Sequence, residues 1–264
     1  MMILGYVLAL LVGIIMGLIG GGGSILTLPI LVYVMGISPV SGTAYSLFIV
    51  GTTALFAGLQ NAYQKNVDFK TVIIFGIPSI ISVYLTRKWL MPLIPDTIYS
   101  SDIYTLSKST ALMVLFACIM LLTAASMLRA KKDNRVKEST HRYNFPMIFL
   151  EGLFVGLVTG LVGAGGGFLI IPALVIFARV PMKLAIGTSL MIIATKSLIG
   201  FIGDIETQPV IEWTLLLGFS SISIIGSLLG NLLAKKTDNN KLKQYFAWFV
   251  LSMGLFILLK ELLF

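Results

Sequence analysis

The sequence predicts an all-α polytopic membrane protein built as two homologous halves, and three observations carry that prediction. Of the 264 residues, 57% are hydrophobic and only 11% charged, with a mean hydropathy of +0.99. A soluble domain needs more polar surface than this, whereas a chain solvated by lipid needs very little. The apolar residues gather into long runs: Ile3–Met35, Thr43–Asn61, Thr71–Leu85, Ser109–Leu128, Pro146–Ala178, Leu184–Gly203, Trp213–Ala234 and Tyr245–Leu259. Sliding the chain by 143 positions then lays one half on the other.

The overlap is densest where "GLIGGGGSILTLPILV" from Gly17 meets "GLVGAGGGFLIIPALV" from Gly160. Gly17, Leu18, Gly20, Gly22, Gly23, Leu26, Pro29, Leu31 and Val32 all find identical partners. Ser46-Leu47 falls on Ser189-Leu190 and Thr52 on Thr195, and "SIISVYLTRK" from Ser79 follows "SIIGSLLGNLLAKK" after a one-residue shift. Residues 1–128 form the first repeat, 129–145 a basic linker, and 146–264 the second repeat. The opening "MMILGYVLALLVG" has no positive leader and no small-residue cleavage site, so it reads as a retained first span.

Each half begins with a long apolar run broken by glycine, at Gly20–Gly23 and at Gly163–Gly167. A glycine costs about 1 kcal/mol against alanine inside a helix, so such clusters mark breaks. If each broken run crosses once, the loop lysines and arginines divide nine to nine and set no orientation. If each run turns back at its glycines, the loops at 62–70, 129–145, 179–183 and 234–243 share one side and hold 14 of the 19 basic residues. The opposite side then receives Asp96, Asp102, Asp204, Glu206 and Glu212, with Arg87, Lys88 and Lys108 as its loop bases. The excess of basic residues on the cytoplasmic side favours the second arrangement. Each half is then a glycine-broken helical hairpin plus three transmembrane helices, and the two halves form an inverted repeat. Both termini are expected outside, with linker 129–145 in the cytoplasm. About 17 residues before the glycines make ~25 Å of helix and about 12 after make ~18 Å, so the turns are expected within the membrane. The segment "RKWLMPLIPDTIYSSDIYTLSK" reads as an outer interfacial loop.

A break inside the bilayer frees backbone N–H groups that must face protein or a wet cavity. A helix restarting after such a turn points its positive end at the break and favours an anion there. That makes Gly20, Gly21, Gly22, Gly23 and Ser24, with Gly163, Gly165, Gly166 and Gly167, candidate anion-binding positions. Close helix packing is the structural alternative. Lys196 lies deep in "GTSLMIIATKSLIGF", opposite Thr53 in the first half. A charge at such depth costs ~3 kcal/mol on insertion scales, so it is expected to face a cavity, an anion or a carboxylate such as Glu151, the alternative being a lysine that snorkels to an interface. Thr188, Ser189, Thr195 and Ser197 supply hydroxyls nearby, as do Tyr45, Ser46, Thr52 and Thr53 in the other half; each could instead bond its own helix. Glu151 itself reads as a solvated interface residue or as a proton-coupling carboxylate.

Several classes are excluded or disfavoured. The net charge of +8 resides in short loops and calls for no nucleic-acid partner. The single cysteine, Cys118, cannot form an internal disulfide, and the single histidine, His141, sits in the linker. Neither histidine-based hydrolysis nor a histidine metal site is expected. "GGGGS" has no following lysine, so it is no ATP-binding loop, and no cofactor is expected.

The paired glycine motifs, each followed by "GTAYSL" or "IGTSL", resemble those of the sulfite exporter TauE/SafE family, as does the late "GSLLGNLLAKK". The resemblance covers essentially the whole chain. It implies a membrane permease for sulfite, sulfonates or related anions, with the glycine turns, Ser46 and Ser189 along the pathway. Departures occur where Ala44-Tyr45 replaces Gly187-Thr188 and Thr86 stands for Gly230. The expected function is a secondary transporter of a small anion in the cell membrane, working by alternating access, passively or coupled to an ion such as H+. An anion channel or a membrane-embedded assembly subunit is the alternative.

Overall fold

In the computed structural model, residues 2–100, 105–129, 145–163, 165–176, 180–206, 211–234 and 239–263 are described. Most of the basic linker, with His141, lies outside them. Ahead of the linker the chain forms α1 (Met2–Ile19), α2 (Gly21–Val34), α3 (Pro39–Tyr63), α4 (Phe69–Leu93) and α5 (Lys108–Arg129). After it come α6 (Phe145–Val162), α7 (Gly167–Ile176), α8 (Met182–Ile205), α9 (Trp213–Ala234) and α10 (Asn239–Leu263). Among the described residues six helices are long and apolar enough to cross a membrane, α1, α3, α4, α5, α8 and α9.

Local sequence sets the boundaries. Ser38 accepts a hydrogen bond from the Ser41 amide ahead of Pro39 and so starts α3. Asp68 accepts from the Lys70 and Thr71 amides and starts α4. The chain reverses at Gly20, whose φ of +78° suits glycine alone. From there α2 runs back along α1. A methyl added at Gly23 would fall 2.6 Å from the Met16 nitrogen, and one at Gly5 would fall 2.8 Å from Met35 Cγ. The return arm starts as a 3₁₀ turn over Gly21–Leu26 and widens to a π turn over Ile30–Val34, just after Pro29 has removed a backbone donor.

Small residues fix how the helices meet. Gly13 and Gly17 of α1 touch backbone at Ser223 and Ser227 of α9, so those two helices run parallel. Gly152, Gly156 and Gly160 of α6 meet Phe75, Ser79 and Thr86 of α4, also parallel. Gly51 and Gly58 of α3 meet Leu198 and Met191 of α8, and these two run antiparallel. The centre of the bundle holds Met16, Ile25, Leu28, Val50, Phe75, Ile170 and Ile193 together with buried Thr27, Ser46, Thr53 and Ser79. Outside, α4 exposes Ile73, Ile77, Ile81 and Leu85 at four-residue spacing. An apolar outer face with the hydroxyls kept inside is what a lipid solvent selects.

Two expectations are corrected. Arg87, Lys88 and Lys108 are not loop bases: α4 continues to Leu93 and carries the first two, while Lys108 opens α5 with its ammonium on the Met91 and Ile94 carbonyls. The helix survives the charges because Arg87 is wholly buried against Asp204, which lies inside α8 and not in a loop. The expected outer loop is only partly irregular. Beyond α4 it forms a two-stranded antiparallel ribbon, β1 (Thr97–Ser100) and β2 (Thr105–Ser107), which adds a minor strand element to the helical fold.

Candidate functional site

The two glycine turns meet. A methyl at Gly21 would fall 2.6 Å from Gly167 Cα, so the turns are in backbone contact. Each also reaches the opposite half: Gly20 packs on Ile186 and Gly21 on Ile193 of α8, while Gly163 packs on Thr43 and Gly165 on Val50 of α3. Gly163, Gly165 and Gly166 have φ of +74°, +64° and +68°, which forces glycine there whatever the space. Gly22 and Gly23 are buried in the first turn, where the Ser24 hydroxyl donates to the Gly21 carbonyl at 2.7 Å.

Lys196 sits at the second turn. It is fully buried, its Nζ donates to Thr159 Oγ1 at 2.8 Å, and a methyl at Gly166 would fall 2.9 Å from that nitrogen. α7 begins at Gly167, so the positive end of its dipole lies beside the same ammonium. Among the described residues no carboxylate pairs with Lys196. The Glu151 pairing expected from sequence is not made, since Glu151 stands on α6 eight residues, about 12 Å, before Thr159, and its Oε1 has no partner.

The hydroxyls divide into two groups. Thr52 donates to the Phe48 and Ile49 carbonyls, Thr195 to Met191 and Ile192, and Ser189 to Ile186, so their protons are spent on their own helices. Ser46, Thr53 and Ser197 are buried with no hydrogen-bond partner. Thr188 accepts from the Asp68 amide at 2.9 Å, and Tyr45 at the matching position of the other half accepts from the Glu212 amide at 3.0 Å.

Sequence reasoning missed a second cluster at the other edge of the second turn. Arg87 Nη1 donates to Thr43 Oγ1 at 3.0 Å and lies 3.3 Å from Asp204 Oδ1, and all three side chains are buried. Thr43 is also the residue on which Gly163 packs. Asn231, at the position matching Arg87, donates its amide to Gln60 Oε1 at 2.8 Å, one residue before the match of Asp204. The repeat register was the signal available, because it sets Arg87 on Asn231 and Asp204 on Asn61. Further out, exposed Lys88 donates to Glu206 at 2.7 Å and holds that carboxyl below its usual range.

Chemically, the centre offers two buried cations, a helix N-terminus and uncommitted hydroxyls, a set that suits an anion. Among the described residues no cluster of three metal-ligating side chains occurs. Comparison with known proteins points the same way. The family model described as sulfite exporter TauE/SafE matches residues 6–257. A probable membrane transporter protein of Xylella fastidiosa is 30% identical over 94% of this chain and 91% of its own length. One from Methanocaldococcus jannaschii is 28% identical over 96% and 94%, and one from Bacillus subtilis is 25% identical over 87% of each. No solved structure matches the chain.

Proposed function

The chain belongs to the sulfite exporter TauE/SafE family, and from that premise we propose that it is a secondary transporter of a small anion, an oxyanion of sulfur such as sulfite or an organosulfonate. The observation that carries this reading is Lys196, a fully buried cation in the membrane interior, neutral partners around it, set on a glycine turn. A charge that costs ~3 kcal/mol to insert is retained where it binds something. The anion is held between the two turns, with Lys196, Gly163 and Gly165–Gly167 on one wall and Gly20–Gly23, Ser46 and Thr53 on the other.

Transport proceeds by alternating access between inverted halves. The antiparallel packing of α3 on its counterpart α8 supports inversion, since halves with an odd number of segments enter the membrane from opposite sides. The reciprocal contacts support it too: Gly20 on Ile186 mirrors Gly163 on Thr43, and Asp68 on Thr188 mirrors Glu212 on Tyr45. The protein resides in the cell membrane with its basic linker in the cytoplasm and both termini outside, in keeping with the loop charges. The test is flux of sulfite and of a small sulfonate into proteoliposomes. Wild type carries at least one of them, and Lys196→Met abolishes that flux while remaining folded. Undiminished flux in Lys196→Met refutes the reading.

A further inference from the structure

Arg87 is buried as completely as Lys196, yet only one of its three nitrogens is engaged. Nη1 serves both Thr43 and Asp204, while Nε and Nη2 have no hydrogen-bond partner in the protein. Three N–H donors are thereby left unmatched in an interior where each costs about 1–3 kcal/mol. A purely structural ion pair would turn the two-pronged face of the guanidinium to its carboxylate. Here the unused prongs are Nε and Nη2, the edge that donates to two oxygens of one oxyanion side by side. Nor does the fold require charge at this place. The matching position is Asn231, whose neutral amide meets Gln60 at 2.8 Å.

Resting on the anion-transport reading, we propose that Arg87 is a second anion-contacting residue of the pathway, presenting its Nε–Nη2 edge to a small oxyanion while Asp204 and Thr43 hold Nη1. The placement suits that role. Thr43 carries both the Arg87 hydrogen bond and the Gly163 contact, so the guanidinium borders one edge of the turn whose other edge carries Lys196. Asp204 and Lys196 are eight residues apart on α8, about 12 Å, a distance that two successive stations for one anion would span. Asp204 fixes the guanidinium plane and lowers its attraction for the anion enough to permit release.

Two variants of the full-length protein in detergent test this, with sulfite, methanesulfonate and chloride titrated calorimetrically. Arg87→Lys keeps the charge and the Asp204 partner but has no side-on edge. The double variant Arg87→Gln/Asp204→Asn replaces the buried ion pair by two neutral amides and leaves no uncompensated charge, so it keeps a folded alternative should the single variant misfold. Either folded variant is expected to bind the wild-type oxyanion at least tenfold more weakly, and chloride is expected to bind the wild type more weakly than the oxyanions. A folded variant with wild-type oxyanion affinity overturns the role of Arg87 and leaves the transport reading intact. Wild-type protein that binds neither oxyanion overturns the transport reading, and this proposal with it.

Discussion

Gly21→Ala is the most direct test of whether the two turns are a packed pair. Gly21 has no unusual backbone torsion, so the substitution acts through space alone. Its new methyl would fall 2.6 Å from Gly167 Cα, against 3.4–4 Å for ordinary contact, so one turn must retreat by about 1 Å. Retreat is blocked on the second side by Ile193, whose Cδ1 already overlaps the same volume. Overpacking of this size costs about 1–3 kcal/mol, or a fall of about 2–12 °C in unfolding temperature at ~2–4 °C per kcal/mol. Gly76→Ala is the control, inside α4 with nothing within 4 Å, where alanine gains up to ~1 kcal/mol of helix propensity. Thermal unfolding in detergent reads both. If Gly21→Ala unfolds at or above the temperature of Gly76→Ala, the turns are not in contact and the site built on them fails.

Other outcomes follow from the buried charges and the topology. Lys196→Met removes an ammonium that costs ~3 kcal/mol to bury, so it should unfold no earlier than wild type even as it abolishes oxyanion flux in proteoliposomes. Asp204→Ala leaves Arg87 uncompensated and should destabilise by about 3–5 kcal/mol, whereas the Arg87→Gln/Asp204→Asn pair should recover most of that loss in a thermal melt. In a Cys118→Ser background, cysteines at exposed Tyr63 and at Glu206, which the repeat places at equivalent helix ends, should label from opposite sides of the membrane with an impermeant reagent. Labelling from one side would overturn inversion.

The glycine breaks and Lys196 were legible because each contradicts its surroundings: flexible residues inside helix-forming runs, and a cation inside an apolar one. The helix carrying Arg87 was not, because a charge two residues beyond an apolar run reads as a loop unless its partner is known, and Asp204 lies 117 positions away. Thr159 was invisible for a related reason. A threonine in a membrane helix has its own carbonyls as ready partners, and only the fold shows that its oxygen also accepts from Lys196. Charges counted by sequence neighbourhood therefore overstate the loops and understate the interior.

The aligned halves differ in charge around their glycine turns, and the differences favour the second turn. Thr53 stands for Lys196, Met16 for Thr159, Asn231 for Arg87 and Asn61 for Asp204. The first turn thus rests on neutral packing, with Gly23 against Met16, while the second is flanked by both cations. On the proposed inversion and anion site, an anion between them is drawn off the pseudo-two-fold axis toward Gly166, and hydroxyls at equal distance from that axis should differ in importance. Thr159→Val removes the acceptor that orients Lys196 at constant volume; losing one hydrogen bond to a charged group, about 1.5–3 kcal/mol, should weaken oxyanion binding by roughly ten- to a hundredfold. Thr53→Val makes the same isosteric change on the neutral side, where the hydroxyl has no protein partner and meets the anion uncharged, and should weaken binding by only about two- to tenfold. Titration of sulfite and methanesulfonate against both variants measures the contrast. Equal losses would place the anion on the axis and make the charge asymmetry irrelevant to binding.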